Sequence, residues 1–184
     1  KGLMPLTELA MNADFFCPVC QSAVRLKNGN VMRPHFAHIT LQTCYFNSEN
    51  ESNEHLSLKA ELFASLSKTE KVVVEEVLPE LGQIADLLVN EKLALEVQCS
   101  RLSEKRLRER TISYRQHDFQ VLWLLGEKLW LGKRLSNLHK QLLYFSKNMG
   151  FHIWELDAKI REVRLKYLIY EDIFGNIYHQ TKTC

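Results

Sequence analysis

The chain has 184 residues, 46% of them hydrophobic and 25% charged, which is the balance of a globular protein able to bury a sizeable core. Its formal charge of +2 is close to neutral, so where the charges sit says more than their sum. No apolar run is long enough to span a bilayer and no secretory apolar segment opens the chain, so no membrane partner is expected and the cytoplasm is the expected location.

Residues 1–16 form a short lead-in in which Leu6, Leu9 and Ala10 suit one helical turn or a strand. Cys17-Pro18-Val19-Cys20 follows, then His35 and His38 within His-Phe-Ala-His, then Cys44. Two thiolates spaced Cys-x-x-Cys can grip one ion, and a later His and Cys can complete a tetrahedral set. Residues 23–27 and 31–33 flank Asn28-Gly29-Asn30, a hairpin signal, and the whole has the layout of a zinc ribbon. The expected Zn2+ ligands are Cys17, Cys20, His38 and Cys44, with His35 in reserve. Four protein ligands leave no open position, so the ion would be structural. The alternative is a pair of reduced thiols. A redox Cys-x-x-Cys, however, is expected at a helix start rather than before a hairpin. Five cysteines, an odd number, suit a reducing compartment better than a disulfide framework.

A polar linker at 47–53 leads to a helix capped by Ser52 or Asn53 and running to about 67. Its apolar residues form two neighbouring stripes, as in a helix packed on more than one side. Glu54, His55 and Lys59 lie in its first two turns, and an acid there is also explained by the helix dipole alone. Residues 70–78 read as a strand. Residues 83–100, QIADLLVNEKLALEVQCS, read as two strands joined by a turn at 90–92. If Val89 faces Leu93, the pairing places Asp86 opposite Glu96, and two carboxylates would converge on one face. Such a pair calls for a cation between its members, and oxygen ligands select Mg2+ or Mn2+. The plainer reading puts both acids on a solvent face, but the apolar residues flanking them on both sides suggest a covered strand.

Ser103 caps a basic helix running to about Gln116. From Arg101 to Arg115 there are six Lys or Arg against two Glu. Arg106, Arg110 and Tyr114 recur every four residues and line one side, a pattern suited to a phosphate backbone with a base or sugar against the ring. The alternative is a solvated amphipathic helix with Leu107 and Ile112 facing inward. Residues 119–125 form a strand expected to be buried on both faces. Beyond it a helix at 136–145 and strands at 151–156, 161–170 and 176–180 suggest a second small sheet packed on the core. The chain opens on Lys1 and closes on Cys184, and is expected to be a piece of something longer.

The order helix, three strands, helix, strand, with Glu54, Asp86 and Glu96-Val97-Gln98, resembles the PD-(D/E)xK nuclease superfamily. Together with Cys-Pro-x-Cys, His-Phe-Ala-His, Glu-His-x-x-x-Lys and Arg-x-x-x-Tyr, it resembles the CoiA family of bacterial competence proteins, specifically the streptococcal type. The resemblance implies an α/β fold with an αβββαβ core and a mixed sheet over 48–126, a zinc-binding subdomain over 1–47 and a small α+β extension over 127–184. It implies Asp86 and Glu96 as ligands of Mg2+ or Mn2+, with Glu54 orienting water or a second ion. Gln98 stands where the superfamily usually has lysine, and an amide can only hydrogen-bond. Lys59 or Lys105 would then supply the missing charge.

The activity implied is metal-dependent hydrolysis of DNA during natural transformation and recombination, on single-stranded or branched substrates, with a recombinase or other competence proteins as partners. Arg106, Arg110 and Tyr114 would hold the DNA. The competing expectations are a nuclease fold kept as a DNA-binding or recombinase-adaptor module without turnover, and a zinc-ribbon protein whose larger domain binds only protein.

Overall fold

The computed structural model describes residues 14–17, 21–27, 35–39 and 52–184. They belong to two units, residues 1–49 and residues 50–184.

In the first unit, strands β1 (Phe15–Phe16), β2 (Ala23–Lys27) and β3 (His35–His38) form an antiparallel sheet in the order β1-β2-β3. The partner of β2 is residues 35–38, with Val24 paired to His38 and Lys27 to His35. The strand expected at 31–33 and the turn at 28–30 lie outside the described residues. Cys17 is buried; its N–H donates to the Ser22 carbonyl, and its own carbonyl accepts the Gln21 N–H, each at 2.9 Å. The rings of Phe15 and Phe36 meet at 4.9 Å between centroids. Of the expected zinc ligands, Cys17 and His38 are described, while Cys20, Cys44 and the side chain of His35 lie outside the described residues.

The second unit opens with helix α1 (Asn53–Leu66), whose first turn is closed by the Ser52 hydroxyl accepting the His55 N–H at 3.1 Å. Strands β4 (Val72–Leu78), β5 (Gln83–Val89) and β6 (Leu93–Gln98) then form an antiparallel meander. Helix α2 (Glu104–Gln116), capped by Ser103, leads to β7 (Gln120–Leu125), which runs parallel to β6 with Gln98 beside Leu125. This is the order expected from the sequence.

The tail differs from expectation. Helix α3 (Asn137–Leu142) is shorter than foreseen and gives way to β8 (Tyr144–Ser146). Strands β9 (Gly150–Asp157), β10 (Glu162–Glu171) and β11 (Ile177–Thr183) extend the main sheet instead of building a second one, in the order β11-β10-β9-β7-β6-β5-β4. The join is a parallel pairing of β9 with β7, Leu124 to Trp154 and Leu125 to Glu155. Such a contact between distant segments leaves no trace in local periodicity.

Helices cover both faces of this sheet. On one, Leu58 of α1 packs with Leu87, Val89, Leu95, Val97, Leu124 and Leu156. On the other, Leu107 and Tyr114 of α2 and Leu142 of α3 pack with Leu88, Ala94, Trp123, Leu125 and Ile153. Leu58 is 3% exposed, and cutting it to alanine is expected to cost about 2–5 kcal/mol, which makes it the anchor of α1. Among the described residues no helix is long and apolar enough to cross a membrane.

Candidate functional site

The hairpin of β5 and β6 turns through Asn90, Glu91 and Lys92: the Lys92 N–H donates to the Val89 carbonyl at 3.1 Å, and the two residues between them, Asn90 and Glu91, take left-handed backbone (φ +49° and +57°). The register is the expected one: Val89 faces Leu93, Leu88 faces Ala94 and Leu87 faces Leu95. Beyond Leu87 the strands part. The Asp86 carboxylate there takes the place of a backbone carbonyl, and its Oδ2 accepts the Val97 N–H at 2.8 Å.

The two acids do not converge on one face, because the alternation of β5 slips at Asp86. Leu87 belongs to the cluster under α1, whereas Ala85, two residues earlier, belongs to the cluster under α2. Across the ladder, Glu75 of β4 takes a left-handed backbone (φ +53°) between the pairs Val74–Leu87 and Glu76–Ala85. Both strands slip together, so register survives while facing changes.

Asp86 therefore turns to α1. His55 Nε2 lies 3.1 Å from Asp86 Oδ2, and Lys59 Nζ lies 2.9 Å from Glu75 Oε1 and 3.9 Å from Asp86 Oδ1. Lys59 is buried, and these carboxylates compensate a charge that would otherwise be costly to enclose. Glu54 is engaged elsewhere: its Oε1 accepts the Glu127 N–H at 2.9 Å, tying the start of α1 to the loop after β7. Gly126 lies so near that a Cβ there would stand 2.9 Å from Glu54 Oε1 and 2.8 Å from Cys99 Sγ. Burial pushes the Cys99 thiol up to about 12, with the charges of Glu54 and Asp86 adding to it and Lys128 pulling it back.

Glu96 turns to α2 and is 2% exposed. Nη2 of Arg110 stands 2.7 Å from each carboxylate oxygen, and the Tyr114 hydroxyl donates to Oε1 at 2.5 Å. Burial raises the Glu96 carboxyl to about 7, with Arg110 opposing and Asp86 adding to the rise. Burial and the Glu96 charge likewise raise the Tyr114 phenol. Arg110 is held further by Gln83 Oε1 at 3.1 Å and the Ile84 carbonyl at 3.2 Å, and it lies over the Trp123 ring. The Gln98 amide donates to the Ser100 carbonyl at 2.8 Å. Lys105 remains exposed on α2, 3.9 Å from Glu109.

The expected DNA-holding ladder is thereby corrected at two of its three rungs. Leu107, Arg110 and Tyr114 share the inward face of α2 at i, i+3 and i+7, and Tyr114 is fully buried, so its ring has no face for a base. Ile112, expected inward, is 43% exposed. Arg106 is half-buried, and its N–H donates to the Ser103 hydroxyl at 3.3 Å.

Residues 51–181 match the family described as "Competence protein CoiA, nuclease-like domain". The chain belongs to the CoiA family. Residues 4–47 match "Competence protein CoiA, N-terminal domain". The "Competence protein CoiA" of Bacillus subtilis (strain 168) is 32% identical over 117 residues, covering 61% of this chain and 31% of that relative. The chain thus spans about a third of the length of the curated relative it matches. No solved structure matches it.

The CoiA nuclease-like domain implies the PD-(D/E)xK superfamily, so the donors at Asp86 and Glu96 can be tested against a divalent ion. As arranged they do not fit one. Both Glu96 oxygens are committed to Arg110, and Asp86 Oδ2 is committed to His55 and Val97. Among the described residues no three His, Cys, Asp or Glu side chains gather closely enough to hold an ion. The residue that sequence reasoning passed over as a site member is His55. The signal was its i, i+4 spacing from Lys59, which sets two potential donors on one helical face toward a strand carrying an acid.

Proposed function

We propose that this CoiA family member handles DNA in genetic competence as a nuclease-fold module that holds single-stranded or branched DNA without cutting it, and passes it to a recombinase in the cytoplasm. The family supports the competence role. The commitment of both Glu96 oxygens to Arg110, with Tyr114 closing the same carboxylate, supports the absence of turnover. Gln98 agrees with it, since its amide is spent on the Ser100 carbonyl where a nuclease lysine would face the phosphate. In the amino-terminal unit, Cys17, Cys20, His38 and Cys44 would hold a structural Zn2+.

The deciding experiment incubates single-stranded, duplex and branched DNA with the protein, with and without Mg2+ or Mn2+, and reads binding and cleavage together. Salt-sensitive binding without cleavage, retained in Asp86→Ala, supports the module. Metal-dependent cleavage that Glu96→Ala abolishes while the fold survives overturns it.

That second outcome is the other reading, hydrolysis at a site of Glu54, Asp86, Glu96, Gln98 and Lys59 supported by Mg2+ or Mn2+. It has its own observation: Asp86 is close enough for its charge to raise the proton affinity of Glu96. It requires Glu96 to leave Arg110.

A further inference from the structure

With Arg110 and Tyr114 turned to the inward side of α2, the expected ladder keeps only Arg106, and a second surface is better placed to hold a strand. The carboxyl ends of β6 and β7 lie side by side, joined by the Gly126 N–H donating to the Gln98 carbonyl at 2.9 Å. In open α/β sheets, ligands settle in the crevice outside the carboxyl ends of parallel strands. Arg101 follows three residues after Gln98, and Lys128 three residues after Leu125. Both are exposed, and neither forms an ion pair among the described residues.

A cleft of about 430 Å³ opens here, lined by these two side chains, the buried Leu102 and Leu129, and the hydroxyl-bearing Ser103 and Ser136. Of the acids here, Glu127 is paired with Lys159 at 2.7 Å, whereas Glu104, which also lines the cleft, accepts from the neutral Gln141 amide at 3.0 Å and keeps its charge. Arg101 and Lys128 against the single Glu104 carboxylate leave the lining with a surplus of positive charge, on a surface whose apolar floor accepts sugar. The cleft also adjoins the start of α1 at Glu54. Lys128 directly follows the residue whose N–H Glu54 holds, and its charge reaches Cys99, as do those of Glu54 and Asp86.

We propose that this cleft seats the phosphodiester backbone of a single DNA strand, with Arg101 and Lys128 taking neighbouring phosphates. The inference rests on the DNA-handling reading and names its surface.

The test measures binding of a fluorescent oligothymidylate to the whole chain across a salt series. It compares Arg101→Glu/Lys128→Glu with Lys147→Glu/Lys182→Glu, an equal charge change at exposed lysines elsewhere. The cleft variant is expected to bind at least roughly tenfold more weakly. Its plot of log affinity against log salt should be flatter by about 1.4, two phosphates at about 0.7 each on a single strand. Arg101→Ala/Lys128→Ala, with circular dichroism as the fold control, should move the same way if the reversals disturb folding. Equal loss in both charge-reversal variants, or none in the cleft variant, overturns the cleft and leaves DNA handling standing. Displacement of the strand by inorganic phosphate at matched ionic strength would make the cleft a free-anion site and also overturns it. Wild-type protein with no DNA affinity overturns both.

Discussion

Arg110 reaches both carboxylate oxygens of Glu96 from one terminal nitrogen, at 2.7 Å each, from the inward face of α2 to the middle of a covered strand. Glu96 is enclosed while the Arg110 side chain is 24% exposed, and a buried charge left alone costs far more than the pair gains over an apolar substitute. Arg110→Ala is therefore expected to destabilise the fold by about 3–5 kcal/mol. Urea unfolding at pH 8, where Glu96 is ionised, measures it. A loss below about 1 kcal/mol would show that the contact is not formed in solution.

Glu96 also predicts a pH dependence. Its carboxyl rises from 4.5 to about 7 in the folded chain, chiefly through burial, so between these values the folded state keeps a proton that the unfolded state has released. Its contribution is largest below pH 4.5 and is lost as pH rises through about 7. Relative to Glu96→Gln, which does not titrate, the wild type should lose up to about 3 kcal/mol of stability between pH 4 and pH 8. Parallel stability curves for the two proteins would refute the assignment.

Gly126→Ala should drive a methyl group into Cys99 Sγ and Glu54 Oε1, at 2.8 and 2.9 Å. Overpacking of this kind costs about 1–3 kcal/mol. Adding Cys99→Ala removes one of the two obstacles, so the double variant should recover part of the loss in a thermal-melt cycle. Strictly additive effects would mean that the neighbours already have room to move.

Zinc supplies a fourth measurement. Acid release followed by a colorimetric assay should give about one equivalent of Zn2+ per chain, and Cys17→Ser should lower it. A metal-free wild type purified without chelator would remove the ion from the account.

Much of the core was legible in the sequence. Ser52 and Ser103 announced the two helix starts, and the alternation around Asn90 gave the register of β5 and β6 to the residue. What could not be read was the slip at Asp86. It depends on Glu75 adopting a left-handed backbone in a neighbouring strand, a cooperative irregularity with no glycine to mark it. The inward face of α2 was misassigned for a related reason: an inward-facing, half-buried arginine counts as polar in any periodicity until its carboxylate partner, fourteen residues away, is seen. The continuation of the sheet into the tail rests on two residue pairs between β7 and β9, below anything a local pattern encodes.

That junction governs how this protein can be divided. Ending the chain at Gly126 would strip the neighbour from Leu124 and Leu125, leaving a strand rich in leucine and tryptophan with its outer amides and carbonyls bare. Such a raw margin recruits strands from other molecules, so a shortened recombinant product would be expected to clump rather than report on the core. Residues 127–184 therefore finish the sheet on that side, and expression boundaries belong outside β11.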